Sequence, residues 1–178
     1  MANVIYSMSS SLDGYIAGPD GDFSWTPPDA ELHAFHNERV RKLSAHLLGR
    51  RLYETMVYWE REDDGRDAVA REFAEIWRPL PKIVFSTTLT EVEGNARLAT
   101  GTLAEELAGL DRDVGVGGAG LAASCFEAGL VDEVHTFVCP VIVGGGTPLL
   151  PPVRLDLSLL EARTFGRGVT HARYRVAH

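Results

Sequence analysis

Short apolar runs and amphipathic segments take turns along this chain. Runs rich in strand-forming residues recur at 3–9, 45–48, 82–86, 95–99 and 133–140. Helical patterns lie between them at 29–44, 51–58, 68–76 and 102–110. Because compact apolar runs that alternate with helices are typical of buried parallel strands, the pattern predicts an α/β fold with a mostly parallel central sheet and helices on both faces.

Capping residues and turn residues add detail to this pattern. Asp29 precedes the first helical segment as its expected N-cap, and Thr102 with Glu105 matches a capping box. The region from 157 to 176 contains two strand patterns joined at 166–168, Gly-Arg-Gly, which predicts a hairpin. The sheet is therefore expected to end in an antiparallel C-terminal hairpin.

The segment from Asp113 to Leu130 predicts a buried strand, a glycine turn and a helix. Its residues Gly115, Gly117 and Gly120 satisfy the spacing G-x-G-x-x-G. A helix that starts at such a turn presents backbone N–H groups and the positive end of its dipole to a phosphate. A Rossmann domain is disfavoured, since the next strand ends in Val-Cys-Pro at 138–140 without the acidic residue that binds a ribose. The alternative is that the glycines serve close packing alone.

Composition narrows the class of protein. The 178 residues suit one domain, 1–178, with 45% hydrophobic and 24% charged residues. A net charge of −8 provides no broad basic field, so neither a nucleic acid nor a membrane surface is an expected partner. The first residues lack the pattern of a signal peptide, and a cytoplasmic location is expected. Cys125 and Cys139 are expected to be buried free thiols, because their spacing does not match a zinc site.

Polar residues follow two of the predicted parallel strands. Gly49, Arg50 and Arg51 come at the carboxyl end of the second strand, directly before a helix, where open α/β sheets bind ligands. Guanidinium groups bind phosphate in a bidentate manner, so the pair suits the 2′-phosphate that distinguishes NADPH from NADH. Ser86 and Thr87 end the next strand, where their hydroxyls suit either an anion site or a turn cap. The alternative for the arginines is an ordinary pair of surface side chains.

Three further residues carry candidate chemistry. Asp13 follows the first strand, at the start of a long irregular loop, and serves either as a carboxylate at the mouth of the cleft or as part of an Asp-Gly turn. His33 and His36 are three residues apart on the first predicted helix and share a face. Without a third ligand they do not indicate a metal site, and no metal is expected.

Taken together, these motifs resemble a known family. The chain resembles the reductase domain of bacterial riboflavin biosynthesis, the RibD C-terminal domain, which shares the dihydrofolate reductase fold. The resemblance rests on S-L-D-G-Y-I-A, G-R-R-L-Y-E, F-S-T-T, V-G-G-A-G-L and G-L-V-D-E-V-H-T-F-V-C-P-V-I-V-G-G-G-T-P-L-L. It implies a dihydrofolate reductase-like sheet, NADPH as cofactor and a homodimer.

The resemblance also implies roles for individual residues. Asp13 would face the substrate, and the Gly117-Gly118 peptide bond would be cis, as it often is in this fold. The implied cofactor residues are Ala17 at the nicotinamide, Gly49, Arg50, Arg51, Ser86 and Thr87 at the adenosine phosphate, and Gly117, Gly118, Ala119, Gly120 and Leu121 at the pyrophosphate.

The chain also departs from the family pattern. Leu52 stands after a second arginine where the family usually has Thr directly after Gly-Arg, and the third strand ends in Ser-Thr where an Arg is often found. Dihydrofolate reductase itself uses a carboxylate on its first long helix, where this chain offers Glu31 and Glu38 outside any matching motif. The basic residues that hold a ribosyl phosphate in the riboflavin enzyme have no match, which leaves the substrate open.

The sequence therefore predicts an NADPH-dependent reductase. Hydride would pass to a small heterocyclic or ribosylaminopyrimidine-like substrate, similar to that of 5-amino-6-(5-phosphoribosylamino)uracil reductase. Asp13 would orient the substrate or relay a proton, and Trp25 would form an apolar wall. Two alternatives remain open: a non-catalytic module that binds NADPH or another nucleotide, and a true dihydrofolate reductase.

Overall fold

The structure, a computed structural model, describes residues 3–63 and 65–177. The ends of the predicted domain, residues 1, 2 and 178, and residue 64 lie outside the described part. Ten strands are found there: β1 (Val4–Ser10), β2 (Tyr15–Ala17), β3 (Ala45–Gly49), β4 (Lys82–Phe85), β5 (Ala96–Leu98), β6 (Val114–Gly117), β7 (Glu133–Val138), β8 (Thr147–Pro148), β9 (Leu157–Thr164) and β10 (Thr170–Val176).

Eight of these strands form one sheet in the order β5-β4-β3-β6-β1-β7-β10-β9. The pairs from β5 to β7 are all parallel, whereas β10 runs antiparallel to both β7 and β9. This confirms the predicted mostly parallel sheet with its antiparallel C-terminal hairpin. The carboxyl ends of six neighbouring strands therefore meet at one edge.

The α-helices of the described chain are α1 (Ala30–Val40), α2 (Arg50–Met56), α3 (Ala68–Trp77), α4 (Leu103–Ala108) and α5 (Ala119–Glu127). Helix α1 begins where Asp29 Oδ1 accepts a hydrogen bond of 2.9 Å from the Leu32 backbone N–H, and α4 begins at the capping box of Thr102 and Glu105. Both predicted caps are confirmed, because each carboxylate or hydroxyl accepts from an N–H group that the helix itself leaves unpaired.

Apolar side chains lie on both faces of the sheet. Leu47 and Leu48 are adjacent on β3 but belong to different clusters, as do Ile83 and Val84 on β4, since successive side chains of a strand point to opposite faces. The first cluster includes Phe126 of α5 and, at its margin, Leu103 and Leu107 of α4; the second includes Phe73 and Trp77 of α3. Both Cys125 and Cys139 are buried free thiols, as expected.

The small sheet formed by β2 and β8 was not predicted. Its strands have three residues and two residues, too few to show an alternating pattern, and the sequence indicated only an irregular loop there. The sheet fixes the segment after β1 against the segment after β7. Among the described residues, no helix is both long and apolar enough to cross a membrane.

We predict that the buried ion pair of Lys82 and Glu60 is important for stability. Lys82 Nζ lies 2.7 Å from Glu60 Oε1 and donates to the Trp77 carbonyl at 2.8 Å, and only 1% of its side chain is exposed. The change Lys82→Met leaves the Glu60 carboxylate buried without its cation and should lower the free energy of unfolding by about 3 kcal/mol in urea titrations.

The control is Arg41→Met, which removes the exposed ion pairs with Glu38 and Glu72. Its effect should stay below about 1 kcal/mol, because exposed pairs are well solvated. An equal loss in the free energy of unfolding for Lys82→Met and Arg41→Met would contradict the predicted importance of the buried ion pair.

Candidate active-site cleft

A cleft of about 1770 Å³ opens at the carboxyl edge of the parallel strands. One small ligand needs ~300 to 1,000 Å³, so this cleft has room for a dinucleotide and a second ligand side by side. Open α/β sheets bind ligands at this edge. The predicted cofactor residues that line the cleft are Ala17, Gly49, Arg50, Arg51, Ser86, Thr87, Gly118, Ala119, Gly120 and Leu121.

The glycine turn before α5 leaves room for an anion. Gly118 has φ +93°, a conformation that favours glycine, and no side chain caps the helix that follows. The first N–H groups of α5 therefore have no partner within the helix or from a capping side chain. A Cβ atom at Gly120 would meet nothing within 4 Å, so the space above this helix end is open. The site fits a diphosphate.

The expected cis peptide bond between Gly117 and Gly118 is wrong. All peptide bonds of the described chain are trans, and the positive φ of Gly118 makes the turn instead. Gly117 itself lies beneath the cleft rather than on it. A Cβ atom there would clash with Leu52 and would lie 3.0 Å from the His46 ring, so the packing alternative explains this glycine.

Two arginines lie beside the glycine turn at the start of α2. Arg50 donates to Thr88 Oγ1 at 2.9 Å and lies 3.5 Å from Glu54 Oε1. Arg51 is exposed to the cleft, and its guanidinium has no hydrogen bond or ion pair among the described residues. Ser86 accepts from the Leu89 N–H at 3.0 Å, which gives it the role of turn cap. Arg51 is thus the guanidinium that remains available for a phosphate.

Asp13 lies outside the cleft. Its carboxylate accepts hydrogen bonds from the N–H groups of Val143 at 3.2 Å and Gly144 at 2.8 Å. The Ser11 hydroxyl and these two N–H groups hold the pKa of the Asp13 carboxyl below its usual value. The structure therefore shows Asp13 as a tether between two loops, and its catalytic role stays a prediction.

Trp25 also points away from the main cleft. Its ring packs against the apolar cluster that contains Phe137 and Phe165, and it lines a separate pocket of about 360 Å³. Phe23 and Thr26, from the same loop, line the main cleft in its place. No pattern in the sequence distinguishes Trp25 from Phe23, because both aromatic residues lie in one irregular loop.

The five described histidines, of six in the chain, all line the cleft: His33, His36, His46, His135 and His171. Burial lowers the pKa of every one of them, to about 3 for His36 and about 4 for His46 and His135. Because buried imidazoles lose the solvation that favours their charged form, these side chains are neutral at pH 7. No group of three or more potential metal ligands occurs among the described residues.

A polar network occupies the amino-terminal part of the cleft. Arg39 donates to the Ser7 hydroxyl at 3.2 Å and lies 2.7 Å from His135 Nδ1. A guanidinium only donates, so Nδ1 accepts and His135 Nε2–H donates to Glu133 at 3.0 Å. Arg173 completes the chain of contacts, 2.8 Å from the Glu133 carboxylate. The network contains two guanidiniums and one carboxylate: Glu133 pairs with Arg173, whereas Arg39 contacts only uncharged groups.

The two carboxylates of the first helix do not line the cleft. Glu31 pairs with Arg163 at 3.0 Å, and Glu38 pairs with Arg41; both pairs are at the surface. The cleft therefore lacks the helix carboxylate that dihydrofolate reductase uses.

Comparisons with known proteins agree with this architecture. The profile of the RibD C-terminal domain matches residues 2–171. The uncharacterized protein YyaP of Bacillus subtilis (strain 168) is 28% identical over 178 residues, which cover 96% of this chain and 93% of YyaP.

Solved structures show the same fold. A Shewanella sp. PV-4 protein with a provisional assignment to riboflavin biosynthesis has a TM-score of 0.74 at 21% identity, and the match covers 100% of both chains. The diaminohydroxyphosphoribosylaminopyrimidine deaminase/5-amino-6-(5-phosphoribosylamino)uracil reductase of Thermotoga maritima has a TM-score of 0.68 at 18% identity, over 99% of this chain and 57% of that one.

The sheet order and the cleft at its carboxyl edge define an α/β protein of the RibD-like fold. The profile match extends over nearly the whole chain. The chain belongs to the RibD C-terminal domain family, a reductase family.

The buried histidines predict a loss of stability in mild acid. In the unfolded chain an imidazole has a pKa near 6.5, whereas His46 and His135 titrate at about 4 when folded. Between these values the unfolded state binds more protons, so the free energy of unfolding should fall as the pH drops from 6.5 towards 4. By pH 5, which lies 1.5 units below the unfolded pKa, we expect a loss of about 2 kcal/mol for each of these two imidazoles.

Urea titrations at pH 7.5, 6.0 and 5.0 measure this effect. The carboxylates of Glu106 and Glu133, with pKa values of about 2, lose their contribution only at lower pH and serve as the internal reference. A free energy of unfolding that stays constant from pH 7.5 to 5.0 would refute the prediction.

Proposed function

We propose that this chain is an NADPH-dependent reductase for a small heterocyclic or ribosylaminopyrimidine-like substrate. The observation that carries the proposal is the uncapped start of α5 next to the unpaired Arg51, at one end of a cleft large enough for two ligands. The family is a reductase family and typically binds NADPH, which supports the same assignment.

Bound NADPH would supply a hydride to a C=N or C=O carbon of the substrate, whose nitrogen or oxygen takes a proton from solvent. The N–H groups of Ala119, Gly120 and Leu121 would hold the diphosphate, and Arg51 would bind the 2′-phosphate. Ala17 would lie at the nicotinamide. The protein's part is to align the two reactants and to exclude water.

A non-catalytic NADPH-binding module is the second candidate. It is favoured by one observation: none of the described cleft histidines has a pKa near 7, and Asp13 is held on another loop. Dihydrofolate reduction is less well supported, because Glu31 and Glu38 point away from the cleft. NADPH binding without oxidation in the presence of pyrimidine substrates would favour the module.

We predict that Arg51 selects NADPH over NADH. Trp59 and Trp77 line the cleft, so cofactor binding should quench tryptophan fluorescence. The wild-type protein should bind NADPH at least about tenfold more tightly than NADH, and Arg51→Gln should remove most of this preference through NADPH affinity alone.

The matched control is Arg71→Gln on α3, an exposed arginine outside the cleft, which should leave both affinities unchanged. Equal wild-type affinities for NADPH and NADH, or a parallel loss of both in Arg51→Gln, would rule out this role.

We further propose a homodimer that forms through β9. This edge strand has an unpaired outer side, and all its residues are exposed, including Leu157, Leu159 and Leu160. An edge strand with apolar side chains on both faces pairs readily with a second copy about a twofold axis. A second copy would cover both the backbone edge and the leucines.

Light scattering coupled to size exclusion tests this proposal. The wild-type protein should have twice the mass of one chain, and Leu159→Lys should have the mass of one chain. Leu150→Lys, at an exposed leucine outside β9, should remain dimeric. A monomeric wild-type protein would overturn the proposal.

A further inference from the structure

Arg39 is a half-buried cation whose direct partners are both uncharged. Its guanidinium donates to the Ser7 hydroxyl from both terminal nitrogens, at 3.2 Å each, and to His135 Nδ1 at 2.7 Å. The carboxylates of Glu133 and Glu161 act on its charge only from a distance, and Glu133 is paired with another arginine. Because buried charges in proteins are usually paired, Arg39 lacks a counter-ion in contact.

Several hydrogen-bond donors at this point are unused. A guanidinium carries five N–H groups, and the contacts of Arg39 with Ser7 and His135 engage three of them. The Nε–H and one N–H of Nη1 therefore have no acceptor in the part of the chain that the structure describes. The Ser7 hydroxyl accepts from Arg39 and donates to no described group. Unused donors beside a positive charge suit an oxyanion.

The cation lies deep in the cleft and away from the carboxyl edge of the sheet. Arg39 and Ser7 both line the cleft. Strand β1 ends at Ser10, three residues after Ser7, and a strand rises ~3.3 Å per residue, so Ser7 lies about 10 Å from that edge. The unused donors are therefore separate from the glycine turn and Arg51.

Apolar side chains line the same part of the cleft. Ile5 is two residues before Ser7 on the same face of β1, and the Phe35 ring centroid lies 6.0 Å from the guanidinium carbon of Arg39. The next cation along α1, Lys42, is exposed, and an exposed cation attracts an anion only weakly. One buried positive charge between apolar walls matches a monoanion with an apolar body better than it matches a phosphate dianion.

We propose that Arg39 and Ser7 form a second ligand site in this cleft, which binds the carboxylate of a small organic acid with an apolar body. The carboxylate accepts hydrogen bonds from the guanidinium and from the Ser7 hydroxyl, while Ile5 and Phe35 contact the apolar body. The ligand supplies the counter-charge that Arg39 lacks. This assignment does not depend on NADPH or on the proposed reductase activity.

Titration of benzoate without cofactor tests the site. The protein carries ¹⁵N-labelled arginine, and the Nε–H signals are followed by NMR. The signal of Arg39 should shift, and that of Arg71, which is exposed outside the cleft, should stay. Benzamide, which has nearly the same shape without the charge, and inorganic phosphate should each bind at least about tenfold more weakly. Benzamide or phosphate that binds as tightly as benzoate would refute a carboxylate site.

Variants then separate the charge from the shape of the site. Arg39→Met removes the cation and should weaken benzoate at least about tenfold, whereas Arg39→Lys should retain part of the affinity. Ser7→Ala keeps the cation and should weaken benzoate about twofold to fivefold. The matched control is Arg41→Met, which removes an exposed cation at the end of the same helix and should bind benzoate as the wild type does. A cooperative urea transition shows that each variant is folded.

The outcomes separate this inference from the proposed function. Benzoate binding that depends on Arg39 stands even if NADPH does not bind. If NADPH binds but benzoate does not, or if Arg39→Met and Ser7→Ala bind benzoate as the wild type does, the carboxylate site is refuted and the reductase proposal is untouched. Because the two sites lie about 10 Å apart, saturating benzoate should leave the NADPH affinity unchanged within about twofold. Displacement of benzoate by NADPH would show that the anion binds at the phosphate end, which also refutes the site.

Discussion

The cleft depends on one close approach, between the start of α2 and the end of β6. Strands β3 and β6 are neighbours, with Leu48 opposite Gly117, and Leu52 from the first turn of α2 packs where a side chain at position 117 would be. One step further along, a Cβ atom added at Gly49 would lie 3.6 Å from Leu121 Cβ at the start of α5. The arginine pair and the uncapped helix end are therefore brought together by the same contact. A larger side chain at position 117 would push apart the two elements that form the proposed phosphate site.

The face of the sheet that α1 covers has an unusual composition. This face carries Ser7, Gly115 and several imidazoles where a buried sheet usually carries branched apolar residues. Small side chains leave volume beneath the helix, and the polar groups there need partners. The network from Arg39 to Glu133 satisfies them in the amino-terminal part, where Arg39 keeps a pKa of about 10 and stays charged. Near the carboxyl ends of the strands, the same face of the sheet borders the open part of the cleft.

Sequence reasoning succeeded where the fold is determined by burial. Parallel strands buried on both faces give continuous apolar runs, so β3, β4 and β6 were predictable, as were the helix caps of Asp29 and Thr102. Sequence reasoning failed for side chains whose positions depend on the conformation of loops. The carboxylate of Asp13 binds a turn 130 residues away, and Trp25 packs into the core beside its loop, contacts that no local pattern encodes. His33 and His36 were considered only as metal ligands, because their spacing is visible in the sequence while the aromatic side chains around them, Trp59 and Phe137, come from distant parts of the chain.

These differences suggest how the two halves of the cleft are constrained. The phosphate end consists of backbone N–H groups and glycines whose positions follow from the sheet order, so it is tied to the fold itself. The other end is formed by side chains of α1 and the loop before it, which can change without moving a strand. The histidines of that end are neutral, and its cation is Arg39, which contacts only the uncharged Ser7 and His135. In the proposed reductase, substitutions on α1 therefore alter what binds at that end while the cofactor half stays the same.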